Sequence, residues 1–358
     1  MSALPLIHDL SLDDLKTEMV SWGERDYRAV QIWQGLYHQL VETPHELTTL
    51  PTAMRQRLSE TYHFTPCEPT QWQRSNDGNT EKVLLTLRDG QFIETVLMHY
   101  ERRRTVCIST QIGCAMGCRF CATGQMGFRR NLTPGEIVGQ VLLFTRRLNR
   151  EKHRLDNIVV MGMGEPFHNY DALAQALRIL NHPQGFRFGA RRITVSTVGL
   201  VPGIERFGQD FPQLNLAVSL HAATNELRDQ LVPINQRYPL ERLLSACRAY
   251  VECTSRRITF EWALIEGIND GIEQAEALAA LVRGLNCHIN LIPLNPTAAY
   301  GQLASSPERS HDFSEALSNH RISHSVRVRR GIDIQAGCGQ LAIRKQKQPQ
   351  RRHETDTG

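Results

Sequence analysis

Nowhere does the 358-residue chain approach the roughly eighteen consecutive apolar residues of a membrane-spanning helix, so no such span is expected. The first residues carry no basic leader and reach Asp9, Asp13 and Asp14 early, which argues against a secretory signal. No sign of charge dominates: 41 Lys and Arg against 37 Asp and Glu leave a net +4, weak evidence by itself for a nucleic-acid partner. An even, spaced set of cysteines is missing too. There are nine, three of them between positions 114 and 121, which speaks for metal or redox chemistry in a reducing cytosol, not a disulfide scaffold. What is present is ordinary for a globular protein: 41% hydrophobic and 22% charged residues exclude wholesale disorder. The length suits about two domains, or a large one with an appendage.

Apolar residues recur at helical spacing between about residues 9 and 60, through Leu12, Leu15, Val20, Ile32, Trp33, Leu36 and Leu40, and predict a small helical module. A hairpin signal follows, with apolar runs on either side of Asp89-Gly90. From there strand-like runs at 106–110, 157–161, 192–196, 215–219, 258–264, 288–293 and 325–328 alternate with helix-like segments. Such alternation predicts an α/β fold with a parallel sheet, either a partial or full (β/α) barrel or an open doubly wound sheet. The expected organisation is a helical accessory domain over 1–65 and a β-hairpin linker over 66–104. An α/β core over 105–343 and a basic, disordered tail over 344–358 complete it. Arginines cluster at 102–104, at 129–130, and at Arg327, Arg329 and Arg330. Any one cluster is as readily a solvated face; several beside one catalytic segment favour phosphate contacts.

Cys114, Cys118 and Cys121 are spaced C-x3-C-x2-C and can converge on one metal centre. Structural zinc takes four protein ligands, and no fourth cysteine or histidine lies nearby. Ferredoxin-type iron–sulfur sites also use four cysteines, so three leave one iron open. The loop follows the first strand of the alternating region, the end of a parallel α/β fold where catalytic loops gather. The polar residues Glu165, Ser196, Ser219, His221 and Asn295 fall at the C-terminal ends of successive strand-like runs. Any one alone reads as structural; their recurrence at one topological position points to a common mouth. Cys338 lies between Gly337 and Gly339. Taken alone it is more often a structural cysteine than a reactive one, Cys107 a core residue, and Glu94 a surface strand residue.

The spacing with Phe120 before the last cysteine resembles the radical S-adenosylmethionine (SAM) superfamily. The wider set is more specific. It comprises Ile93-Glu94-Thr95-Val96, Gly127-Phe128-Arg129-Arg130-Asn131-Leu132, Met161-Gly162-Met163-Gly164-Glu165-Pro166, Ser219-Leu220-His221-Ala222, Ile234-Asn235, Asn290-Leu291-Ile292-Pro293 and Ala336-Gly337-Cys338-Gly339-Gln340-Leu341. In this order, from about residue 10 to 343, it resembles the RlmN/Cfr family of radical SAM RNA adenine methyltransferases, and within it the RlmN type.

That resemblance implies a [4Fe–4S] cluster on Cys114, Cys118 and Cys121 with SAM on the open iron. It implies SAM contacts from Gly164, Glu165, Ser196, Ser219, Leu220, His221 and Asn295. SAM is used twice: to methylate the Cys338 thiol, and at the cluster as the source of the radical that activates this methyl group for addition to an electron-poor adenine carbon. The resemblance makes Glu94 the acceptor of the ring proton, and Cys107 the thiol that releases the product through a transient disulfide with Cys338. Implied partners are 23S ribosomal RNA, tRNA and a one-electron reductant such as flavodoxin, for a cytoplasmic monomer. Ile332 and Gln335 replace two acids common in the family, and Leu294 stands where Trp is frequent; these departures touch substrate choice more than reaction type. A Cfr-like enzyme acting at adenine C8, and a non-catalytic iron–sulfur RNA-binding protein, are the alternatives to an RlmN-like enzyme acting at C2.

Overall fold

Residues 4–297 and 299–342 are described by a computed structural model; the basic tail from Arg344 to Arg352 lies outside the described residues. The helical module forms as its periodicity predicts, with helices at Leu12–Ser21, Tyr27–Gln34 and Thr52–Thr61. Ser11 and Asp14 cap the first helix reciprocally, satisfying backbone donors at its start. Leu15, Met19, Ile32, Trp33, Leu36 and Leu58 are buried, each worth about 1.5–3 kcal/mol. The module docks on the helix Pro134–Arg150. Asp9 accepts the Gly135 amide at 2.8 Å, and Arg146 donates to the carbonyls of Leu40 and Val41 at 2.9 and 2.8 Å.

The hairpin gains a strand that its polar sequence hid. β1 (Glu68–Arg74), β2 (Thr80–Thr86) and β3 (Phe92–Tyr100) form an antiparallel meander. β3 then pairs antiparallel with β4 (Arg103–Cys107), so the meander continues into the main sheet. A short antiparallel pair, β5 (Gln111–Gly113) and β6 (Phe128–Asn131), brackets the three-cysteine loop. The parallel part comprises β4, β7 (Asn157–Val160), β8 (Ile193–Thr197), β9 (Asn215–Ser219), β10 (Ile258–Leu264), β11 (Cys287–Pro293) and β12 (His324–Val326).

These strands lie side by side in chain order. A doubly wound sheet reverses its order at a switch point; this one never does, and winds as a barrel. Among the described residues its edge strands β1 and β12 are not paired with each other, so the barrel is partial. Segment 331–342 lies across the meander. The Asn76 amide donates to Asp333 at 2.7 Å, Lys82 Nζ reaches the Gln335 carbonyl at 3.4 Å, and the Ala342 amide donates to Glu94 at 3.0 Å. Cys338 is carried on this segment.

Candidate active site

The three-cysteine loop is held by close backbone packing. Gly113 has φ +73°, and a Cβ there would stand 1.7 Å from the Gly127 carbonyl oxygen, so only glycine fits. The loop is tied to the Cys338 segment as well. The Ala122 amide donates to the Gly339 carbonyl at 2.7 Å, and Thr123 Oγ1 donates to the Leu341 carbonyl at 2.7 Å. Sequence separation of more than two hundred residues is thus closed by two hydrogen bonds.

Cys114, Cys118 and Cys121 line one cavity of about 170 Å³. Among the described residues no three His, Cys, Asp or Glu side chains converge on a point that would chelate a single ion. Thiols spread around a shared cavity suit a polynuclear centre, in which each cysteine ligates its own iron. Gly164, Glu165, Ser196, Ser219, His221 and Asn295 line the same cavity, as the strand-end argument predicts. Leu220 does not. Its side chain is fully buried in the core, its amide donates to the Glu261 carbonyl, and its own carbonyl accepts from Arg228.

The donor set suits a cationic ligand rich in hydrogen-bond donors. Asn295 Nδ2 donates to the Cys338 carbonyl at 3.0 Å, whereas its buried Oδ1 has no hydrogen-bond partner. Glu261 lines the cavity too; its Oε1 accepts from Asn290 at 2.9 Å, and its Oε2 has only Arg327 at 3.8 Å. Glu165 accepts from Thr197 Oγ1 at 2.7 Å, the Val198 amide at 2.8 Å and the Phe167 amide at 3.1 Å. Burial pushes its carboxyl up to about 7 despite those hydrogen bonds. Burial and the Arg228 cation push His221 down to about 3. Its Nδ1 accepts the Ala263 amide at 2.9 Å, so the neutral ring carries its proton on Nε2 as a donor. His221 also has φ +61°, a strained conformation of the kind that concentrates at functional sites. Those acceptors and donors have the chemistry to meet the ammonium, carboxylate and ribose groups of the SAM that the sequence resemblance implies.

A second cavity of about 270 Å³ occupies the barrel lumen. Cys107, the last residue of β4, lines it alone, whereas Cys338 lines both cavities. Both cysteines are free thiols, so the implied disulfide is absent while its two partners share one cavity. Burial pushes Cys107 up to about 12, because the surrounding protein disfavours a thiolate; Cys338, although exposed to solvent, is raised by desolvation on its cavity wall, and Arg327 opposes the shift at both. Glu94 lies on neither cavity wall. It is buried, ion-paired with Lys82 at 2.9 Å, and covered by the Ala342 amide.

Two functional candidates escaped the sequence reading. Glu261 had a signal, being the only carboxylate in the apolar strand Ile258–Leu264, where a parallel strand buried on both faces should have none. Arg228 had none. It is fully buried, and its guanidinium donates to the carbonyls of Leu220, Val198 and Ser219 and to Asn235 Oδ1. It therefore braces the ends of β8 and β9 behind the cavity.

Comparison with known proteins bears on this geometry. Residues 108–281 match the model of the radical SAM superfamily. Residues 7–63 match that of the ribosomal RNA large subunit methyltransferase N-terminal domain. The chain is 46% identical over 348 residues to a probable dual-specificity RNA methyltransferase RlmN of Geobacillus kaustophilus, covering 97% of this chain and 95% of the relative. It is 48% identical over 335 residues to the dual-specificity RNA methyltransferase RlmN 1 of Myxococcus xanthus, covering 94% and 93%. The crystal structure of a radical SAM methyltransferase from Sphaerobacter thermophilus superposes with a TM-score of 0.91 at 50% identity, covering 94% of this chain and 99% of that one.

Proposed function

The chain belongs to the RlmN family of radical SAM methyltransferases, and from that premise we propose that it methylates C2 of adenosine in 23S ribosomal RNA and in tRNA. The observation that carries this reading is the position of Cys338 on the wall shared by two cavities. One holds the three cysteines and the SAM-compatible polar groups; the other holds the second thiol. A methyl carrier that loads on one side and delivers on the other needs such a position.

When bound at Cys114, Cys118 and Cys121, a [4Fe–4S] cluster with SAM on its open iron supplies one-electron cleavage of the sulfonium. The chain's own residues do the rest. Cys338 must lose its proton to accept a methyl group by displacement, and Arg327 favours its thiolate. Asn295 orients the Cys338 backbone through the 3.0 Å hydrogen bond to its carbonyl. After the methyl carbon has bonded to adenine, Glu94 takes the ring proton. Segment 335–342 has to lift from Glu94 for this, because Lys82 and the Ala342 amide occupy the carboxylate. The Cys107 thiolate then attacks the Cys338 sulfur. The sulfur–carbon bond breaks with its electron pair passing to the methylene carbon on the base, and that carbon takes a proton from solvent to become the methyl group. The methylated base leaves, and a disulfide forms that the reductant must reopen. Residues 1–65 serve as the RNA-binding accessory domain of this scheme.

The test is anaerobic reconstitution with iron and sulfide, then incubation with SAM, a flavodoxin-type reductant and ribosomal RNA fragments. Mass spectrometry of the digested RNA should show 2-methyladenosine. Cys338→Ala should abolish methylation. Cys107→Ala should stall with RNA covalently attached to protein, since nothing remains to attack the Cys338 sulfur. 8-Methyladenosine would transfer the chain to the Cfr-like reading, and absence of 5′-deoxyadenosine would sink the enzymatic one.

A further inference from the structure

The lumen cavity is lined by Arg103, Arg191, Arg192, Arg327, Arg329 and Arg330, and by no aspartate or glutamate. Several arginines elsewhere in the molecule are neutralised at close range. Arg130, a phosphate-contact candidate in the sequence, is bound by Asp89 at 2.7 Å and Glu136 at 2.8 Å, which removes it from that role. Arg309 is held by Asp270 at 2.7 Å and Arg147 by Glu81. Around the lumen, Arg192 and Arg327 have a carboxylate no nearer than 3.9 and 3.8 Å. Among the described residues Arg103, Arg191, Arg329 and Arg330 have no ion-pair partner. Arg103 and Arg330 both lie 4.5 Å from the centroid of the Tyr100 ring. An adjoining surface pocket adds Arg256 and Arg257 beside Thr194 and Asn215, again without an acid.

Several of these residues mark the N-terminal ends of the parallel strands. Arg103 begins β4, Asn157 begins β7, Asn215 begins β9, and Arg191 and Arg192 immediately precede β8. The three-cysteine cavity lies at the C-terminal ends, where barrel enzymes usually admit their substrates. Cys338 separates the two, and Cys107 faces the lumen alone.

We infer that the RNA docks on the N-terminal face of the barrel, its phosphates on this arginine rim, and that the adenosine enters the lumen from there, opposite the SAM end. The inference rests on the RNA-methyltransferase reading and adds the surface and the direction of entry. A polyanion is the occupant whose charge relieves mutual repulsion among the guanidiniums, and the guanidinium fork matches phosphate oxygens. Entry from the lumen brings the base to the side of the Cys338 sulfur that Cys107 also faces, and leaves the other side to SAM. Apolar side chains of Val96, Met98, Val159 and Met161 line the way in and offer a surface for an unstacked base.

The experiment measures binding of the full-length, cluster-loaded protein to a fluorescent RNA stem-loop with an adenosine in its loop, by anisotropy across a salt series. The variant Arg191→Gln/Arg257→Gln/Arg329→Gln removes three rim charges. Its affinity should fall about 10- to 100-fold at low salt, and the slope of log K against log salt should become shallower by about two. Replacing the same three by Lys should restore most of that slope, since charge rather than shape sets it. The control Arg237→Gln/Arg242→Gln removes the pair beside Tyr238 at the start of the helix Leu240–Thr254, at the other end of the barrel, and should keep affinity and slope within twofold. An unchanged slope in the rim variant, or an equal loss in the control, overturns the placement while leaving the methyltransferase reading intact. Failure of the unmodified protein to bind the stem-loop at any salt overturns both.

Discussion

The cavity at the strand C-terminal ends includes Glu165 and Glu261 among its lining residues and no arginine or lysine, whereas the lumen includes six arginines and no carboxylate. One end is built to receive a cation and the other a polyanion. They meet at Cys338, whose neighbours Arg327 and Glu261 come from the two sides. The difference teaches how a single thiol can serve two ligands of opposite charge without letting them exchange places. It also sets two experimental levers. Carboxylates titrate near neutrality when buried, so the SAM end should answer to pH. Arginines do not titrate there, so the lumen should answer to salt.

The largest separable effect should come from the brace behind the SAM end. Arg228 is buried, and burial lowers it to about 10, so it remains a cation at neutral pH. Arg228→Met leaves three strand-end carbonyls and Asn235 without their donor. A loss of about 3 kcal/mol or more is expected from urea melts, together with weakened SAM binding. Arg329→Gln, on the exposed rim, should stay within about 0.5 kcal/mol. Equal stability in the two variants would show that these arginines do not divide into structural and binding classes.

How much of this was legible follows the range of the interactions. The three-cysteine loop is local, and its spacing reads directly from the chain. Glu165, Ser196, Ser219, His221 and Asn295 were found because parallel strands deliver their C-terminal ends to one place, which makes a one-dimensional rule out of a three-dimensional mouth. Leu220 comes from the family resemblance and not from this rule, and its side chain faces the core because neighbours on a strand end alternate. Strand β1 was missed because EPTQWQR is polar and half-exposed, so it carries no strong alternation. The arginine rim was legible only at 103 and 327–330. Arg191 and Arg192 join it from the start of β8 and Arg256 and Arg257 from the start of β10, and only the winding of the sheet brings them together. Glu94 lies on its expected strand, and its ion pair with Lys82 is a short-range contact across the hairpin, but its cover by Ala342 depends on a contact spanning 248 residues, which no local pattern encodes.

A pH series sharpens the comparison next. Glu165 sits near 7 because burial outweighs three hydrogen bonds that all favour the ionised form. Below 7 it is protonated and neutral; a cationic ligand binds the ionised form better, so lowering the pH must weaken SAM. With full coupling, the dissociation constant at pH 6 should be about tenfold that at pH 8. His221, held to about 3, stays neutral across this window and contributes no slope. Glu165→Gln should flatten the profile and match the weaker, low-pH binding. RNA affinity at constant ionic strength should not change between pH 6 and 8. Calorimetric SAM titrations showing no slope in the parent protein, or the same slope in Glu165→Gln, would remove Glu165 from the cationic end.

The smallest effect is expected at Asn295, which discriminates best because it lines both cavities. Its Nδ2 is committed to the Cys338 carbonyl, and its buried Oδ1 accepts from nothing in the protein. An unsatisfied buried acceptor costs about 1–3 kcal/mol, a cost that a ligand donor would cancel on binding. Asn295→Leu removes both atoms at similar volume. If Oδ1 serves the SAM end, SAM should bind about five- to tenfold more weakly, and the stem-loop RNA should bind within twofold of the parent. If RNA weakens and SAM does not, Oδ1 faces the base instead, and the border between the two ends moves past Asn295 toward the three cysteines.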